Sequence, residues 1–89
     1  MPRMSSVYLN IDGLEITEVT RHYYPIGKPH FKFNRNSSND RIYTHLKSKE
    51  GKRMKLIYND ENGIKKADSL FILSSITCKD DVITVNMER

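Results

Sequence analysis

From Val7 the chain alternates apolar and polar residues, and the alternation turns back on itself across Asp12-Gly13. A two-residue type I′ turn needs positive φ at both central positions, which Asp-Gly supplies, so the pattern predicts a tight hairpin. Its register sets Ile11 against Leu14, Leu9 against Ile16 and Val7 against Glu18, with Asn10–Glu15 and Tyr8–Thr17 on the other face. One face is mainly apolar, as a half-buried antiparallel pair requires. The β-branched Ile16, Thr17, Val19 and Thr20 favour strand over helix through restricted χ1. Met1 to Ser6 is a polar lead with no structural signal, so the domain is expected over residues 7–89.

Pro25 and Pro29 each remove a ladder donor, and residues 23–29 read as a loop. Phe31 and Phe33, with Lys32 between them, resume period two for one short strand. Asn34 to Asp40 is polar and turn-forming, and predicts an exposed, mobile loop. From Arg41 to Tyr58 period two predicts a second hairpin, with Lys49-Glu50-Gly51 as a three-residue loop and Gly51 in the left-handed conformation. That register pairs Leu46 with Met54, Thr44 with Leu56 and Ile42 with Tyr58 as the core face. The opposite face pairs Lys47 with Arg53, His45 with Lys55 and Tyr43 with Ile57.

Asn59 to Gly63 is a further turn cluster, and Ile64 to Lys66 has no clear pattern. Asp68 and Ser69 are able to cap a short helix, but the continuous apolar run from Leu70 to Leu73 favours a buried strand. A last hairpin runs from Leu70 to Cys78, through Lys79-Asp80-Asp81, into Val82 to Met87, with Ile83, Val85 and Met87 inward. No segment of eleven or more residues carries a helical stripe. The prediction is an all-β, mainly antiparallel domain of six to seven short strands, either a small barrel of the OB or SH3-like kind or a two-layer sandwich.

Composition narrows the class. In 89 residues, 37% are hydrophobic and 29% charged, a composition that allows one small core. The single Cys78 excludes an intrachain disulfide and points to a reducing, cytoplasmic setting. The first thirty residues lack a signal-peptide apolar run, and no stretch approaches the roughly 20 apolar residues of a membrane span. The Asn, Lys and Ile content suggests an AT-rich genome, as in a bacterium or phage.

Net charge is +4, but the middle of the chain carries it: twelve Lys and Arg lie between Arg21 and Lys66 against four carboxylates. The flanks are acidic. Lys47 opposite Arg53 on a hairpin is a destabilising pair of like charges, and an anion would relieve it. Lys32, Arg35 and Arg41 extend the cationic patch, and Lys55 and His45 share its face. Tyr43, with Phe31 or Phe33 nearby, is placed to stack on bases. The expectation is a non-enzymatic module that binds nucleic acid through Lys32, Arg35, Arg41, Tyr43, His45, Lys47, Arg53 and Lys55. The plainer alternative is a solvated edge hairpin whose lysines prevent aggregation.

A protein partner is the competing expectation. The same surface, or the loop at Tyr23 and Tyr24, suits docking on an acidic protein, as a steric inhibitor of a larger complex or a phage virion assembly component. An unpaired edge strand also allows a homodimer. No cofactor is expected. His22, His30, His45 and Cys78 are potential zinc ligands, but no close pair of the Cys-x-x-Cys type exists. No nucleophile has a base at a recognisable spacing, and the glycines are isolated, so neither catalysis nor a phosphate-binding loop is predicted.

Overall fold

The computed structural model describes residues 7–16, 19–24, 27–37, 39–60 and 62–89. Its elements are β1 (Tyr8–Ile11), β2 (Leu14–Ile16), β3 (Val19–Tyr23), β4 (His30–Asn34), α1 (Asp40–Lys47), β5 (Arg53–Asn59), β6 (Lys65–Lys79) and β7 (Val82–Glu88). Seven antiparallel strands form one sheet in the order β2-β1-β5-β6-β7-β4-β3. The all-β expectation holds, with one short helix added.

The hairpin at Asp12-Gly13 forms in the expected register, with Ile11 opposite Leu14, Asn10 opposite Glu15 and Leu9 opposite Ile16. Asp12 and Gly13 have φ of 56° and 84°, the positive values a type I′ turn demands. The expected pairings of Val7 with Glu18 and Tyr8 with Thr17 lie outside the described residues. The last hairpin also forms, but Lys79 pairs with Val82, so its turn has two residues, Asp80 and Asp81, at φ 53° and 62°. The run Leu70 to Leu73 is strand, within a β6 that begins earlier, at Lys65.

β6 keeps its apolar side chains on one face by changing phase once. Ala67, Phe71 and Leu73 are buried, and so are Ile76 and, in part, Cys78. Odd and even positions share a face because the ladder shifts register between Leu73 and Ser75. The extra residue, Ser74, is exposed. Without this bulge every inward residue after Leu73 would point to solvent.

The sheet cannot be flat. Its two edges, β2 and β3, are consecutive in the chain, and Ile16 and Val19 are three residues apart, at most about 11 Å. Six flat strand spacings would separate the edges by about 29 Å. The curl is visible inside: Tyr58 of β5 lies 5.1 Å from Phe31 of β4, ring centre to ring centre, although two strands intervene. Three flat spacings would be about 14 Å. Tyr58 also stacks on Tyr24 at 5.8 Å, and its hydroxyl hydrogen-bonds His22 Nδ1 on β3. The aromatic seam joins opposite sides of the curled sheet.

The structure corrects the reading of Arg41 to Tyr58 as a hairpin. β5 forms in the expected phase, with Met54, Leu56 and Tyr58 buried, but its partners are β1 and β6. Residues 40–47 are helix. Ile42 and Leu46 fit period two and also lie one helical turn apart, with Tyr43 three residues before Leu46. Leu46 is fully buried, and Ile42 and Tyr43 pack on the core beside it. Truncating this anchor removes the helix's main apolar contact, so Leu46→Ala should lower unfolding stability by about 2–4 kcal/mol. Urea denaturation followed by circular dichroism will measure it.

Candidate polyanion-binding site

The helix begins in a locally bonded turn. Asn36 Oδ1 accepts from the Asn39 N–H at 3.1 Å, and Asn39 Oδ1 accepts from the Asn36 N–H at 2.8 Å. The Asn39 amide donates to the Asn34 carbonyl, and Asn39 is only 2% exposed. The stretch Asn34 to Asp40, expected as an exposed loop, therefore includes a buried asparagine whose hydrogen bonds hold the turn. Asp40 in the first turn and His45 and Lys47 in the last match the helix dipole.

After the helix, Gly51 takes the expected positive φ, 88°, but it closes no hairpin. Its N–H donates to the Leu73 carbonyl, and the Leu73 N–H donates to the Lys52 carbonyl. This hands the chain from the helix into β5 alongside β6. Past that point, among the described residues, β6 has no strand on this side, and side chains take over the pairing. Glu50 Oε2 accepts from the Ile76 N–H at 3.1 Å, and Lys47 Nζ donates to the Ile76 carbonyl at 3.3 Å. Lys47 and Glu50 also bridge each other at 3.2 Å. The Ile76 N–H, helped by Lys47, holds the Glu50 carboxyl below its usual range.

The eight residues expected to form one cationic face are dispersed, because five of them, Arg35, Arg41, Tyr43, His45 and Lys47, sit on the helix or in the turn before it. Lys47 does not oppose Arg53; it binds Glu50 and Ile76. His45 does not oppose Lys55; its Nε2 lies 2.9 Å from Asp12 Oδ2 in the β1–β2 turn. Hydrogen bonding to His45 lowers the Asp12 pKa, with Lys49 Nζ 3.6 Å away contributing. Lys55 pairs with Asp68 at 3.3 Å, and Lys65 holds the same carboxylate at 3.1 Å. Arg35 binds Asp40 at 2.6 Å and lies over the Tyr43 ring at 5.1 Å, which covers the tyrosine expected to stack on bases. Phe31 and Phe33 are fully buried and cannot stack on a ligand. Arg41 lines a cleft of about 400 Å³ with Leu14, Glu15, Ile42 and His45. Arg53 is exposed on the outer face of β5.

Lys32 remains in a cationic setting, with different neighbours. On the outer face of the sheet it lies directly opposite Arg21 of β3, and its other neighbour is Thr84 of β7, which pairs onward with Thr77 of β6. The adjacent row holds Tyr23, His30, Asn86 and Ser75. Neither row contains a carboxylate. Among the described residues neither Arg21 nor Lys32 has an ion pair. Tyr23 is 59% exposed, and its ring meets His30 at 5.4 Å. These two rings border a cleft of about 410 Å³ that also touches Lys28, Pro29, Ser74, Asn86, Met87 and Glu88. Asn86 is oriented by donating to Ser75 Oγ at 3.0 Å.

Sequence reading does not bring Arg21, Tyr23 and His30 together: it places Tyr23 in a protein-docking loop and treats His30 only as a potential zinc ligand. The available signal was the Thr20-Arg21-His22-Tyr23 stretch on the far side of a Pro-containing loop from His30 to Asn34, a second hairpin with a longer connection. Among the described residues no group of three or more His, Cys, Asp or Glu is arranged to hold a metal, and no helix is long and apolar enough to cross a membrane. Comparison with family models, curated proteins and solved structures finds no match to this chain.

The Glu50 contact yields a signed pH dependence. A carboxyl whose folded pKa is depressed contributes stability above its unfolded value, near pH 4.3, and loses it as pH falls through the folded value. Glu50→Gln should therefore be less stable than the unmodified protein at neutral pH, and the gap should narrow below about pH 4. Urea unfolding at pH 7 and at pH 3 will compare the two proteins.

Proposed function

We propose that this chain is a small non-enzymatic binding module that holds single-stranded nucleic acid across the outer face of β3, β4 and β7. The observation that carries the reading is Arg21 directly opposite Lys32, in two rows without a carboxylate. Like charges at directly opposed positions cost roughly 0.2–1 kcal/mol, and a phosphate between them reverses the sign of the interaction. Lys28 and the hydroxyl and amide groups of the two rows, Thr84 and Thr77 in one and Asn86 and Ser75 in the other, offer further contacts to a phosphate backbone. Tyr23 and His30 supply ring faces for bases, as sheet-surface binders of single strands require. Of the residues singled out from sequence, Lys32 belongs to this site, and Arg35, Arg41, Tyr43, His45, Lys47, Arg53 and Lys55 lie elsewhere.

The second reading is an acidic protein surface, with the exposed Tyr23 as anchor and the same cations around it, as in a steric inhibitor or a virion assembly component. A cytoplasmic setting in a bacterium or phage-infected cell goes with either reading, and the lone thiol supports it.

Fluorescence anisotropy with labelled single-stranded oligonucleotides tests the proposal. Binding at low salt should weaken with a log-log slope of about −0.7 per phosphate neutralised. Arg21→Glu with Lys32→Glu should lower affinity at least about tenfold, Tyr23→Ala should cost about 1–3 kcal/mol, and Arg41→Glu should change little. Lys32→Gln should weaken binding while raising fold stability by up to about 1 kcal/mol at low salt. Absence of binding at low salt, with a nuclease-resistant protein partner recovered instead, would favour the acidic protein surface.

A further inference from the structure

We infer that the outer face of β6 is a self-association surface that accepts a second copy of this chain about a two-fold axis running along β6. It uses strands β5, β6 and the end of β7, where Glu88 also borders the cleft beside Tyr23 and His30, and its argument does not rest on nucleic-acid binding. Leu70 is 58% exposed there and Ile72 is half-buried, an apolar pair bordered by the charged Arg53, Lys55, Asp68 and Glu88, with the half-buried Ile57 of β5 farther along the same face. The sheet register places Arg53 of β5 on one side of Ile72 and Glu88 of β7 on the other. Neither Arg53 nor Glu88 has an ion pair among the described residues. Lys55, beside Leu70, is already matched by Asp68.

This arrangement complements itself. Rotation by half a turn about an axis along β6 exchanges the β5 side with the β7 side at the same height on the strand. Leu70 and Ile72 then meet their own counterparts. Arg53 of each copy faces Glu88 of the other, so two unmatched charges per chain become two ion pairs flanking an apolar stripe. That isologous geometry is what a two-fold interface requires. A convex stripe about one strand wide falls at the small end of specific interfaces, below about 1,200 Å², so the dimer should be weak and concentration-dependent.

Sedimentation velocity of the full chain across roughly 1 to 200 µM should show the average mass rising above the 10.4 kDa monomer. Leu70→Asp should weaken association at least about tenfold, and Arg53→Glu alone or Glu88→Arg alone should do the same. Melting curves confirm that each variant is folded, since all three positions are on the outer face. The decisive measurement mixes the Arg53→Glu chain with the Glu88→Arg chain. Each alone sets like charges together, whereas the mixed pair restores both ion pairs across the axis, so the mixture should associate to within about threefold of the unmodified protein. A protein that stays monomeric throughout, or a mixture no better than its separate components, would overturn the inference.

Discussion

Two residues of chain separate β2 from β3, the outermost strands of a seven-stranded sheet, and this short tether governs the shape of the molecule. Edges joined so closely must be drawn together, and a curled sheet has an inside. The inside is filled by Phe31, Phe33, Tyr58, Phe71 and the aliphatic residues of alternate strand positions. Tyr58 is central to that filling, since it reaches Phe31, Tyr24 and His22 from across the curl. Ser74 contributes by absence from the ladder: its bulge lets a fifteen-residue strand keep one apolar face while it bends.

The helix solves a different problem. β6 is much longer than β5, so its backbone extends past its partner, and unpaired N–H and C=O groups at an edge invite pairing with other chains. Lys47 and Glu50 occupy the Ile76 groups there, and Asp12 receives His45 and Lys49 from the same segment. Lys47, His45 and Lys49 are thereby spent on carboxylates and carbonyls of their own chain. Among the described residues Arg41 of the helix has no ion pair, and neither do Arg21 on β3, Lys32 on β4 and Arg53 on β5. Local neutralisation, and not the number of lysines in a segment, decides which part of a basic protein is open to an anion.

Strands with strict alternation and short turns were legible from sequence down to the register, as Leu9, Ile11, Leu14 and Ile16 show. Inward positions on β5 and β7 were legible for the same reason, because period two assigns faces without reference to partners. Residues 40–47 were not. Ile42, Thr44 and Leu46 alternate, while Ile42, Tyr43 and Leu46 make a helical stripe, and eight residues are too few to separate the two periods. The error carried over to the site. With Tyr43, His45 and Lys47 on a helix, the cationic face that a strand would have assembled does not form. An opposition of like charges does occur, but between Arg21 and Lys32, on strands joined through a loop whose two prolines gave no register.

What the sequence by itself determined is the all-β class, the tight turn at Asp12-Gly13, the positive φ at Gly51 and the division of strand residues between core and surface. Each follows from backbone sterics or from the two-residue period, and both act over a few neighbouring positions. Strand order, the curl, the helix and the location of unmatched charge were decided only by tertiary structure. Those features depend on which distant segments meet, and an Asp12 carboxylate or an Ile76 carbonyl captures a cation only after the fold has brought them together.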